Sequence, residues 1–214
     1  MQESDNYCSI GAPSEGLYKE SGSRFIALAF PVSDEAAIRA ELDRLRRDYH
    51  DARHICYAWR LASVRDSAGG PQLDLESLWR ANDDGEPSGT AGRQILGQID
   101  AAGLCDILVA VVRYFGGIKL GVPGLIHAYR TATADAIAQA RIVEKTASRR
   151  WRIGFDYAQM PAMMEAVKAL GLEVLARDFA ESCTLELRVR LRSEQDFLER
   201  IKKIGTFKNK IERL

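Results

Sequence analysis

A continuous apolar run of strand length, Ile107 to Val112, is what most limits the folds open to this chain. It does not alternate, and four of its six residues are β-branched, so it suits a strand covered on both faces. The run stops at Arg113. Tyr114 and Phe115 then lead into Gly116-Gly117, with Lys119, Gly121 and Gly124 close behind. Four glycines in nine residues permit positive φ and close backbone approach. From Pro123 the spacing of Leu125, Ala128, Tyr129, Ala132, Ala136 and Ile137 predicts a helix with the proline in its first turn. Strand, basic glycine loop and helix together offer amides and a helix N-terminus to an anion. The same pattern also serves a tight chain reversal. Neither G-x-G-x-x-G nor G-x-x-x-x-G-K-[ST] occurs, so no standard nucleotide loop is supported.

With 214 residues there is room for one large or two small domains, and a core can be buried without disulfides. The net charge is zero but unevenly shared: residues 148–214 hold 14 Lys/Arg against 10 Asp/Glu, and the remainder 16 against 20. The four cysteines, Cys8, Cys56, Cys105 and Cys183, form no C-x-x-C pair and read as reduced thiols. No leader-like segment and no apolar run of membrane length is present, which places the expectation in the cytoplasm with no membrane partner.

Residues 1–20 read as a loose arm. Arg24 to Val32 reads as a strand, and Ser33-Asp34 as the cap of a helix running to about Tyr49 with Ile38, Leu42 and Leu45 inward. Ala52 to Ala62 alternates as a second strand, Ser67 to Pro71 is a turn, and Leu75 to Arg80 a third strand. The segment Asn82 to Gly92, NDDGEPSGTAG, carries three carboxylates, three glycines and two hydroxyls, and belongs at the surface or around a ligand. A helix over Thr90 to Ala102 follows, with Ser88 and Thr90 as its expected caps.

Ser148-Arg149-Arg150 reads as a hinge. Beyond it come a strand with Trp151, Ile153, Phe155 and Tyr157 on one side and a helix over Pro161 to Leu170 carrying Met163, Met164 and Val167. Strands over Glu173 to Phe179 and Ser182 to Arg192, a helix over Glu194 to Ile204, and a strand over Thr206 to Leu214 complete the chain. This βαββαβ order is the ferredoxin-like arrangement. Period two puts Arg188, Arg190 and Arg192 together on the face away from the core, either a phosphate-binding face or a solvated one.

ARHICYAW, NDDGEPSGTAG and VVRYFGGIKLG followed by GLIHAY, in this order, resemble the YigZ/IMPACT family over about residues 18 to 140. The C-terminal part resembles the small domain of bacterial YigZ proteins. The resemblance implies an α+β protein. Residues 18–147 would form an α/β domain like those of a small-subunit ribosomal protein and translational GTPases, and residues 148–214 a ferredoxin-like domain. Where the family usually has two glycines before the leucine, this chain has Pro123-Gly124-Leu125. The functional expectation is a binding or regulatory protein in translation, contacting RNA or a ribosome-associated partner. Its binding residues would be Arg113, Tyr114, Gly116, Gly117, Lys119, Gly121, His54, Asp84, Glu86 and Thr90, with Arg188, Arg190 and Arg192 as a nucleic-acid face. Arg113 and Lys119 would meet phosphates. No cofactor, resident metal or catalytic residue is assigned. The alternative is a metal-assisted hydrolase of peptide or phosphoester bonds, with Asp83, Asp84 and Glu86 around a divalent ion and His54 as acid or base. A third reading packs the acidic loop on the glycine loop as a structural pair. His50, His54 and His127 read as surface or groove residues, and the oligomeric state stays open.

Overall fold

In the computed structural model the described residues are 5–67, 70–179, 183–205 and 211–214. The chain divides into two compact units. One comprises Tyr7–Ser63 and Asp74–Lys145; the other gathers Thr146–Leu214 with Val64–Leu73 and the N-terminal residues through Asn6.

The first unit is a five-stranded sheet with helices on both faces. Its strands are β2 (Ser14–Glu20), β3 (Ser23–Pro31), β4 (His54–Arg60), β7 (Trp79–Asn82) and β8 (Ile107–Tyr114), in the order β2-β3-β8-β4-β7. All neighbours are antiparallel. The apolar run of β8 takes the centre because its odd and even residues are both wanted. Val109 and Val111 pack with Cys56 and Ala58 beneath α2 (Gly92–Ala101) and α3 (Gly121–Ala138). Leu108, Ala110 and Val112 pack with Tyr57 and Trp59 beneath α1 (Glu35–Asp48). Ile38, Leu42 and Leu45 line the buried stripe of α1, and Asp34 caps it by accepting the Ala37 N–H. Burying three core side chains of this size contributes on the order of 5 kcal/mol or more.

Residues 6–20 are not part of the loose arm expected over 1–20, whose positions 1–4 lie outside the described residues. Asn6–Ile10 forms β1, which pairs with β9 (Ile142–Thr146), and β2 is a sheet edge. A hydrogen bond from the Ser14 hydroxyl to the Ala136 carbonyl and one from the Leu17 N–H to Asp135 fasten that edge to α3. Gly16 makes the approach possible, since a Cβ there would lie 2.2 Å from the Ala136 nitrogen. The strand expected over Leu75 to Arg80 is also misplaced. β5 (Ser63–Ser67) and β6 (Gly70–Asp74) form a separate ribbon, and Asp74 accepts the N–H groups of Glu76 and Ser77, which turns the chain before β7 begins. The expected turn over Ser67 to Pro71 includes positions 68 and 69, outside the described residues.

The second unit's larger sheet has the order β11-β12-β10-β13, all antiparallel, from β10 (Ser148–Phe155), β11 (Glu173–Phe179), β12 (Cys183–Arg190) and β13 (Ile211–Arg213). With α4 (Met160–Ala169) and α5 (Glu194–Ile204) the element order is βαββαβ. Ile153, Phe155, Leu185, Leu187 and Val189 meet Met163, Val167, Phe197 and Ile201 in one core. The expected hinge at 148–150 is the start of β10 instead, paired residue for residue with β12. Tyr157 leaves the strand for a 3-10 turn and is 78% exposed. Met164 faces solvent rather than the core. Arg192 lies beyond β12 in the turn Leu191–Ser193, so it does not share a sheet face with Arg188 and Arg190. Much of the last expected strand, residues 206–210, falls outside the described residues.

Candidate functional site

The pleat of β8 decides where its polar end points. Arg113 follows Val109 and Val111 to the α3 side, whereas Tyr114 follows Val112 to the other side, where its hydroxyl donates to Asp51. Arg113 is buried and ion-paired with Glu86 Oε1, the two side chains being 8% and 3% exposed. Tyr129, from α3, donates its hydroxyl to the same oxygen at 2.9 Å. Cys56 Sγ lies 3.2 Å from that hydroxyl. Burial pushes the Tyr129 phenol and the Cys56 thiol far above their ordinary ranges, so both keep their protons and Cys56 is no nucleophile.

His54 stands at the start of β4 beside this network. Its Nδ1 is 2.7 Å from the Asp84 carbonyl oxygen, which only accepts, so Nδ1 is the donor of that bond. Nε2 lies 3.9 Å from Glu86 Oε1. At 16% side-chain exposure, His54 is a cleft residue rather than a surface one.

These groups form the floor of a cleft of about 540 Å³. Arg53, His54, Glu86, Pro87 and Arg113 line one part; Phe115, Lys119, Leu120, Gly121, Val122 and Leu125 line the rest. Phe115 and Val122 are about half exposed, and the Arg113 guanidinium sits 5.7 Å from the Phe115 ring centre. Arg53 and Lys119 have exposed side chains with no ion-pair partner among the described residues. The first turn of α3 starts here at Gly121 with no side-chain cap, adding its partial positive charge.

Of the residues expected to bind, the structure brings His54, Glu86, Arg113, Lys119 and Gly121 to this cleft. Arg113 is not a free phosphate contact, because Glu86 already holds it. Gly116 is taken by packing: its N–H goes to the Ser23 hydroxyl, and a Cβ would lie 1.9 Å from the Gly22 carbonyl carbon. Gly117 is open, with φ +91°. Tyr114, Asp84 and Thr90 lie off the cleft lining. Asp84 accepts the Ile55 N–H, and the Thr90 hydroxyl donates to the Pro87 carbonyl. Neither Ser88 nor Thr90 caps α2. Asp83 does so from a distance, accepting the N–H groups of Gly89, Ala91 and Gly92. That use of Asp83 and Asp84 also undoes the expected divalent-ion triad. Among the described residues no group of three or more His, Cys, Asp or Glu could hold a metal. Arg53, Phe115 and Tyr129 went unassigned in the sequence; the position of Arg53 directly before His54, on the strand facing β8, was the available signal.

The arginine face of the second unit is neutralised. Arg188 pairs with Glu173 at 2.8 Å and Arg190 with Asp5 at 3.2 Å.

The site and fold thus define a two-unit α/β protein with an uncapped helix end, two cations unpaired among the described residues and a buried ion pair around one cleft. The chain belongs to the IMPACT family: the Impact N-terminal domain matches residues 21–137. It is 35% identical over 149 residues to the IMPACT family member YigZ of Escherichia coli, covering 70% of this chain and 69% of that one. It is 29% identical over 177 residues to the family member YvyE of Bacillus subtilis, covering 83% and 76%. A crystal structure described only as a hypothetical protein superposes with a TM-score of 0.68 at 27% identity, over 98% of this chain and 96% of the other. No helix among the described residues is long and apolar enough to cross a membrane.

Proposed function

We propose that this chain is a binding protein acting in translation, and that its cleft takes single-stranded RNA. One observation carries the reading: Arg53 and Lys119 stand unpaired beside the exposed ring of Phe115, over a carboxylate that Arg113 has already neutralised. Cations for phosphate and an aromatic face for a base are the two requirements of single-strand binding. The translational setting rests on family membership and on reading residues 18–147 as the ribosomal-protein-like α/β domain. The βαββαβ order of residues 148–214 supports a ferredoxin-like second domain.

The test is fluorescence anisotropy with a labelled single-stranded RNA across a salt series. Affinity is expected to fall steeply with salt. Absence of binding at the lowest salt would remove the proposal. Ribosomal particles that stay bound after the RNA is digested would point to a protein partner in its place.

A further inference from the structure

The floor of the cleft differs in chemistry from its rim. At the rim stand donors and cations, Arg53, Lys119 and the first amides of α3. At the floor stand a carboxylate oxygen and an imidazole. His54 Nδ1 bonds to the Asp84 carbonyl, which leaves Nε2 on the side of Glu86. Glu86 spends Oε1 on Arg113 and Tyr129, while its Oε2 accepts nothing from the described residues. Nor is Oε2 among the sealed polar atoms, so this oxygen of a side chain only 3% exposed opens on the cleft. A carboxylate oxygen left open in this way on a buried side chain marks a place finished by another molecule.

What finishes it must donate a hydrogen bond. A second cation is not called for, because Arg113 already balances the charge of Glu86; a neutral donor fits better. It must also lie within one nucleotide of an anionic group held at the rim, since a cleft of about 540 Å³ has room for little more. Resting on the RNA reading above, we infer that Glu86 Oε2 accepts the 2′-hydroxyl proton of a ribose seated against His54, so that the cleft distinguishes RNA from DNA. The ribose hydroxyl is a neutral donor next to a phosphate, and deoxyribose has none.

Three labelled 12-nucleotide single strands of identical base sequence, with ribose, deoxyribose or 2′-O-methylribose, are titrated against the full chain at low salt by anisotropy. RNA is expected to bind on the order of tenfold more tightly than either of the others, the effect of one hydrogen bond to a charged acceptor. Base amines are the same in all three, so they cannot produce the difference. The preference should shrink to about twofold or less in Glu86→Gln and in His54→Ala. Should Glu86→Gln unfold through loss of the Arg113 pair, seen as a lost thermal transition, His54→Ala carries the test alone. Equal binding of RNA and DNA overturns the inference and leaves the RNA-binding function standing. A 2′-O-methyl strand as tight as RNA also overturns it, since the hydroxyl proton is then not read. Binding of none of the three removes the RNA reading itself, and the inference with it.

Discussion

Both units are rich in arginine, but the two sets of cations meet different surroundings. On the C-terminal sheet Arg152 lies 2.7 Å from Glu186 and 3.6 Å from Glu212, Arg188 lies 2.8 Å from Glu173, and Arg190 lies 3.2 Å from Asp5. That surface carries mixed charge, although its segment has the positive balance in the sequence. Around the cleft of the first unit, whose sequence balance is negative, the local acid is occupied by a buried arginine and two cations remain unpaired among the described residues. Net charge per segment therefore does not report where unpaired cations lie. An anion responds to which cations lack a partner within the screening distance of about 8 Å at physiological salt, not to the sum over a domain.

The sharpest way to break this contrast is to remove the acid under the cleft. Glu86→Ala leaves Arg113 charged, buried and unpaired, and should cost about 3–5 kcal/mol of stability in urea denaturation followed by circular dichroism. The double variant Glu86→Leu/Arg113→Met should recover most of that loss, because the desolvation penalty disappears with the charges. A cost under about 1 kcal/mol for Glu86→Ala would mean that the pair behaves like an exposed one, and the contrast would vanish.

Next in size is the response of RNA binding to the unpaired cations. Removing Arg53 and Lys119 together should flatten the slope of log affinity against log salt by about 1.4, or about 0.7 for each lost phosphate contact on a single strand. Arg152→Ala/Arg188→Ala removes two cations from the other unit and should leave the slope unchanged. If the second pair flattens it instead, the paired arginines are the ones that meet phosphate.

The network beneath the cleft also sets an alkaline limit. Cys56 and Tyr129 are held above their ordinary values of 9.0 and 10.0, first by burial. Below about pH 8 both are protonated in the folded and unfolded chain, and neither makes stability depend on pH. Above it the unfolded chain releases protons that the folded one retains, so stability falls as pH rises. The urea midpoint should thus be lower at about pH 10.5 than at about pH 8, and this drop should be smaller in Cys56→Ala. An unchanged drop would remove Cys56 from the account.

How legible all this was in the sequence depends on the residue. The run Ile107 to Val112 announced a strand covered on both sides, because no other placement hides so many β-branched residues. Leu185, Leu187 and Val189 alternate in the sequence and are fully buried in the sheet. The N-terminal strands were not legible: Ser14 to Glu20 is polar, and it is a strand because Gly16 lets α3 come close, a tertiary cause that no local pattern carries. At the site, the glycine loop and the acidic loop both stood out, yet their division of labour did not. Asp83 serves as a helix cap from eight residues away from Ala91, and Glu86 alone reaches the buried arginine. Partners so distant in sequence are chosen by the fold.

The smallest effect is the one expected of the exposed pairs, and it sets the scale for the others. Arg188 and Glu173 face each other across β12 and β11 with side chains 48% and 57% exposed. Water already solvates both charges, so the gain in Coulomb energy is nearly offset by the entropy of fixing two long side chains. Glu173→Ala should shift the urea midpoint by less than the equivalent of about 1 kcal/mol, and added salt should erase the shift. The same variant frees Arg188 from its acid. If pairing is what silences the arginines of this sheet, Glu173→Ala should make the RNA salt slope steeper by up to about 0.7, one added phosphate contact. A slope that does not move would mean that position, not pairing, keeps this sheet from the nucleic acid.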